Sequence, residues 1–162
     1  MDLSEKYREN VERKSVSKKV KIYLDNCCFN RPFDDQTQLK IHLETQAKLY
    51  VQEQILTGEM DFVWSYILEY ENMQNPFEIR KNSIVLWKDI AVETVVESEK
   101  ILLFAEALKT KGIKTKDALH ISCAVAANCD YYLTTDKKLL NKEFAEIDVI
   151  SPIELLTRLE VE

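Results

Sequence analysis

The chain has 162 residues, 46% of them hydrophobic, which is enough for one domain with a substantial core and too little for two. Its formal net charge of −6 excludes the global basic field that draws a protein to any nucleic acid, so any such contact must be local. No apolar run approaches the roughly 18 residues that span a membrane, and MDLSEKYRENVERKSVSKK lacks the apolar core of a signal peptide, so a cytoplasmic protein with no membrane partner is expected.

Residues 1–19 are basic and poor in apolar positions, and read as an N-terminal extension, a tail or a loose helix, before a single domain over residues 20–158. Residues 20–24 (VKIYL) form a β-branched run that predicts a buried first strand ending at Asp25. The segment NCCFNRPFDDQ predicts a loop, followed by a helix over residues 37–57 with Leu39, Leu43, Ala47 and Tyr50 on its apolar face and Gly58 as its stop. Residues 61–64 (DFVW) read as the second strand. Ser65 then caps a short helix carrying Glu69 and Glu71, which ends at Asn75-Pro76. A helix over residues 77–88 carries Phe77, Ile84 and Trp87, and residues 92–96 alternate as a third strand. Over residues 99–111, Ile101, Leu102, Phe104, Ala105 and Leu108 form one helical stripe closed by Gly112.

The most informative stretch is TKDALHISCAVAANCDYYLTTDKKLL. Thr115 as N-cap puts Asp117 in the first turn of an apolar helix running to about Asn128, where free N–H groups favour a carboxylate. A strand over residues 131–134 leads to Asp136, and a helix over residues 137–144, a strand over residues 148–150 and a terminal helix from Pro152 complete the chain. Strands alternating with helices predict an α/β fold, a three-layer α/β/α sandwich around a mostly parallel sheet of about five strands. Cys27 and Cys28 are adjacent and Cys123 and Cys129 form no CxxC pair, so all four read as small buried side chains rather than disulfides or zinc ligands. Trp64 and Trp87 read as core.

Taken singly, Asp25 suits a turn, Asp117 a helix first turn and Asp136 an N-cap. Their joint placement says more. Asp25, the Glu69/Glu71 pair and Asp136 all follow strands, and parallel strands gather such residues at one sheet edge, where Asp117 can join them from its helix terminus. Carboxylates so gathered repel one another unless a cation compensates, and a hard divalent ion with oxygen ligands suits that need.

The order of Asp25 in KIYLDNC, a Glu in WSYILEYEN, Asp117 in KDALHISCA and Asp136 in YYLTTDKKLL resembles the PIN domain, the nuclease family that includes the VapC toxins. The resemblance runs from about Val20 to Leu156 and implies an α/β/α sandwich with a Mg²⁺ or Mn²⁺ site that cleaves RNA. By motif, Asp25, Asp117 and Asp136 match the family's aspartates, Thr134 a supporting hydroxyl residue and Asn26 a frequent polar neighbour. Glu69 and Glu71 lie about 200° apart on a helix, so only one faces the site. Distance from Ser65 in the family pattern favours Glu71, with Glu69 as the alternate.

The expected activity is therefore metal-dependent endoribonuclease hydrolysis: the ion, bound by Asp25, Glu71, Asp117 and Asp136, orients and deprotonates a water for in-line attack and stabilises the leaving oxygen. The resemblance also implies an antitoxin partner and a homodimer. Lys109, Lys111, Lys114 and Lys116 before Asp117, and Lys137 and Lys138 after Asp136, suggest a basic rim for an RNA backbone, although each also suits a solvated helix face. His120 reads as a hydrogen-bonded histidine at the pocket rim, and His42 has no evident partner. No GxxxxGK[ST] or GxGxxG is present. Two other readings compete. One is a catalytically silent PIN-like module that binds RNA or protein. The other is a haloacid-dehalogenase-like Mg²⁺ phosphatase, which expects a second Asp where this chain has Cys27.

Overall fold

Five short runs rich in β-branched and aromatic residues become strands: β1 (Lys21–Leu24), β2 (Asp61–Ser65), β3 (Glu93–Val95), β4 (Tyr131–Leu133) and β5 (Asp148–Ile150). They form one sheet in the order β3-β2-β1-β4-β5, and every neighbouring pair is parallel. The structure, a computed structural model, describes residues 19–161, so the reading of residues 1–19 lies outside the described residues except at Lys19.

Parallel neighbours need crossover connections, and helices supply them. These are α1 (Asn26–Asn30), α2 (Leu39–Leu56), α3 (Tyr66–Met73), α4 (Glu78–Val85), α5 (Glu99–Thr110), α6 (Thr115–Ala126), α7 (Lys137–Leu140) and α8 (Pro152–Val161). Ser65 and Ser98 cap α3 and α5 by accepting hydrogen bonds from the N–H groups of Leu68 and Ile101. The result is the expected α/β/α sandwich, with a sheet that is wholly parallel. On one face Tyr23 stacks on Tyr132 at 5.3 Å and meets His120 of α6 edge-on. On the other, Phe29 meets Phe62 and Trp64 edge-on, and α2 covers it through Lys48, whose Nζ lies 5.5 Å from the ring centroid. Trp64 is fully buried and Trp87 is partly buried against the core, as read from sequence.

The strand order decides where a ligand fits. The chain builds β1, β2 and β3 in one direction, then returns to place β4 and β5 on the other side of β1, so the topological switch lies between β1 and β4. Crevices for ligands open at the C-terminal ends of strands at such a switch. Asp25 leaves β1 there, and Thr134 and Asp136 follow β4.

Several local expectations need correction. The inward face of α2 is not the Leu39, Leu43, Tyr50 stripe: these are 72%, 48% and 46% exposed, while Glu44, Thr45, Ala47, Lys48, Val51, Gln52 and Ile55 are buried. The turn after α1 supplies the reason. Arg31 offers its guanidinium to Glu44 at 3.4 Å and its carbonyl to the Thr45 hydroxyl at 3.2 Å, so these two polar groups face inward with a partner. The helix from Lys137 stops at Leu140 rather than near Phe144, Leu102 is 40% exposed, and Phe77 stands outside α4 as its N-cap residue. Lys114, not Thr115, occupies the N-cap of α6, without a side-chain cap bond.

Candidate functional site

At the switch, a cavity of about 560 Å³ is lined by Asp25, Glu71, Asp117 and Asp136, together with Asn26, Cys27, Lys114, Thr115 and Lys116. Four carboxylates from four separate elements therefore share one crevice, as the parallel topology requires. Glu69 does not join them: its carboxylate pairs with Lys88 at 3.0 Å, away from the cavity, so the helical geometry selects Glu71.

Asp25 is buried and rigidly held. Its Oδ1 accepts the N–H of Asn26 at 2.7 Å, and its Oδ2 accepts the Thr134 hydroxyl at 3.0 Å. Thr134 is fully buried, and its Oγ1 also accepts the N–H of Asp136 at 3.1 Å, so one hydroxyl fixes the spacing of two acids. Asp136 caps α7 through Oδ1, which accepts the Lys138 N–H at 2.9 Å. The N-cap reading of Asp136 and its place in the cavity are thus both correct, since a capping carboxylate uses one oxygen and leaves the other available.

Glu71 is oriented by a buried chain of hydrogen bonds. His120 Nε2 lies 2.7 Å from Glu71 Oε1, His120 Nδ1 lies 2.6 Å from the Tyr23 hydroxyl, and that hydroxyl lies 2.6 Å from Ser65 Oγ. Burial, reinforced by Cys123, pushes the Tyr23 phenol well above its ordinary pKa, so Tyr23 keeps its proton between Ser65 and His120. Nε2 donates to the Glu71 carboxylate. His120 is fully buried, not at a rim: it is a positioning residue for Glu71. Only its one-turn spacing from Asp117 signalled this role in the sequence; Tyr23 and Ser65 gave none, because they belong to different strands.

The electrostatics separate two of the acids. Burial raises the pKa of Glu71, but the hydrogen bond and charge of His120, with Lys116 and Asn26, outweigh it and hold the carboxyl below the usual range. Asp117 goes the other way: burial first, then the charges of Asp25 and Asp136, push it up to about 6 against the pull of His120. Like charges that raise a carboxyl in this manner favour a cation.

The oxygen-only donor set fits a hard divalent ion. Asn26 Oδ1 adds a buried acceptor with no hydrogen-bond partner among the described residues. Among the described residues, no three His, Cys, Asp or Glu groups are drawn together tightly enough to hold an ion as they stand.

The basic rim is only partly the one expected. Lys114 and Lys116 line the acidic cavity, and Lys114, Lys138 and Lys142 line an adjoining cavity of about 520 Å³ that also contains Asp117 and Asp136. Lys109 pairs with Glu106 at 3.2 Å, and Lys111 and Lys137 line neither cavity. Lys142, missed in the sequence, reaches the carbonyls of Lys111 and Gly112 at 3.5 and 3.4 Å. Gly112 has φ +86, and an added Cβ there would lie 3.3 Å from that ammonium, so glycine both makes this turn and leaves room beside it. Cys28, Cys123 and Cys129 are buried as expected, whereas Cys27 is half-buried and its Sγ lies 3.5 Å from Thr134 Oγ1.

No protein-family model matches the sequence, and no curated protein matches it. Among solved structures, the fold is similar to a chain of VapBC2 from Rickettsia felis, a complex bound to a DNA fragment from its promoter. The TM-score is 0.54 with 17% identity, over 80% of this chain and 97% of that one. The likeness is one of fold, and the fold is PIN-like.

Proposed function

We propose that this protein is a divalent-metal-dependent endoribonuclease of the PIN type, with Asp25, Glu71, Asp117 and Asp136 as its catalytic and metal-binding carboxylates and Asn26 and Thr134 as supporting residues. The observation that carries the reading is the meeting of these four acids in one cavity at the topological switch of a parallel sheet. Mg²⁺ or Mn²⁺, when bound, supplies charge neutralisation and activation of a water. The protein supplies the rest. Thr134 holds Asp25 and the backbone of Asp136 at a set spacing, and His120 holds Glu71 ionised and aimed. Lys114 and Lys116 line the same cavity and are the groups to meet the flanking phosphates of an RNA strand. Cys27 occupies the position where a haloacid-dehalogenase-like phosphatase needs its second aspartate, so the nuclease reading is preferred.

The VapC-like fold makes a small antitoxin the partner to seek, by co-purification from the native cell, and a homodimer the assembly to test by sedimentation. The decisive experiment is cleavage of a mixed single-stranded RNA with Mn²⁺ or Mg²⁺, with chelator, and with Asp117→Asn prepared in parallel. Cutting that needs the ion and disappears in the variant supports the proposal. Equal cutting by variant and wild type assigns the activity to a contaminant, and absence of cutting by folded wild type favours the silent RNA- or protein-binding module.

A further inference from the structure

Beside the acids lies a cavity that the hydrolytic reading leaves without a role. It measures about 350 Å³ and adjoins the acidic crevice, with Asn26, Glu71 and Lys116 lining both. Its far wall is Phe77 and Arg80, and its floor carries the amides of Asn30 and Asn75. Phe77 is 55% exposed, so the core does not use its ring. The ring is nevertheless held in place. The Arg80 guanidinium carbon lies 4.3 Å from the Phe77 centroid and 5.3 Å from the Phe33 centroid, while Arg80 Nη2 donates to the Phe33 carbonyl at 2.9 Å. Asn75 Oδ1 accepts the Phe77 N–H at 3.1 Å, which ties the start of α4 to the floor.

The amides are also pre-oriented. Asn75 Nδ2 donates to Asn30 Oδ1 at 3.2 Å, and Asn30 Nδ2 donates to the Asn26 carbonyl at 3.0 Å. Each of these NH₂ groups uses one hydrogen in that network and has a second to offer. An exposed aromatic ring backed by a guanidinium and bordered by fixed donors matches one class of ligand: an unpaired nucleobase, with its π face to stack on Phe77 and its edge to hydrogen-bond. A base within a duplex has both faces covered and its edge paired, and does not fit.

We infer that this cavity is the subsite for one unpaired base of the RNA, stacked on the Phe77 ring that Arg80 holds and met at its edge by the Asn30 and Asn75 amides, next to the phosphate at the acids. The inference rests on the nuclease reading for its substrate, but it concerns binding, and its test does not depend on cutting. The full chain is titrated, in chelator, into a labelled mixed-sequence single-stranded RNA and into the same strand annealed to its complement. A fluorescent purine analogue in the strand reports stacking by loss of emission.

The single strand is expected to bind more tightly than the duplex. Phe77→Ala should weaken it about tenfold and abolish the quenching, while Phe77→Tyr retains both. Because Phe77 is exposed, the variant should keep the wild-type melting temperature, which is checked alongside. Undetectable binding by wild type, equal binding of duplex, or Phe77→Ala binding like wild type each overturns the subsite. Phe77-dependent binding without ion-dependent cutting removes the nuclease and keeps the subsite; ion-dependent cutting with Phe77-independent binding does the reverse.

Discussion

A single imidazole separates a carboxylate that is merely present from one that is aimed. Glu71 leaves α3 with a rotatable side chain, and only the 2.7 Å contact with the buried His120, backed by Tyr23 and Ser65, fixes it toward the cavity. Partners of this kind, one step removed from a metal, typically change affinity or activity 10- to 100-fold when lost, by roughly that amount across metal sites. On the proposed metal-dependent reading, His120→Ala should therefore lower kcat/KM by about that factor and weaken Mn²⁺ binding in a calorimetric titration. His120→Gln, which retains a donor, should recover part of both. An alanine variant with unchanged ion affinity and rate would show that Glu71 needs no support. The three aspartates were legible in the sequence because each follows a strand or opens a helix. The support of Glu71 was not, because Tyr23, Ser65, Glu71 and His120 come from four elements that meet only in the folded chain.

At the scale of elements, α2 is the clearest departure from a pattern-based reading. Its exposed Leu39, Leu43 and Tyr50 are matched by a buried face containing Glu44, Lys48 and Gln52. Periodicity marked a stripe but could not say which stripe faced inward, since the deciding contacts come from Arg31 and Phe29 in the preceding segment. Lys48 makes this arrangement testable. It is 4% exposed, and burial lowers its pKa from 10.5 to about 8. Its folded-state pKa lies below its unfolded value, so the penalty for burying the charge is complete below pH 8. It is relieved as pH rises toward 10.5, where stability increases because the unfolded state binds the extra proton. Lys48→Met should raise the stability at neutral pH by up to about 3 kcal/mol and flatten that pH dependence, as read from urea unfolding at several pH values. An unchanged midpoint with an unchanged pH profile would place Lys48 in water.

The whole molecule carries a net charge of −6, yet its candidate site adjoins lysines, so any RNA affinity must come from a few positions. If Lys114, Lys116, Lys138 and Lys142 are the groups that displace counterions, log K for a single strand should fall against log salt with a slope of about −3. A much steeper slope would mean that a wider surface is engaged. The alternation of strands and helices, the α/β class and the gathering of strand-end acids at one edge were all determined by the sequence itself. Hydrophobic period, caps and the rule for parallel crossovers are local or nearly local properties of the chain. Tertiary structure alone decided that His120 is buried behind Glu71, that α2 turns Glu44, Lys48 and Gln52 inward, and that Phe77 and Arg80 stand beside the acids, and it put Glu71, which the motif spacing favoured over Glu69, into the crevice. Each of these depends on which surface a neighbouring element presents, and burial and hydrogen-bond satisfaction are settled only when distant segments pack.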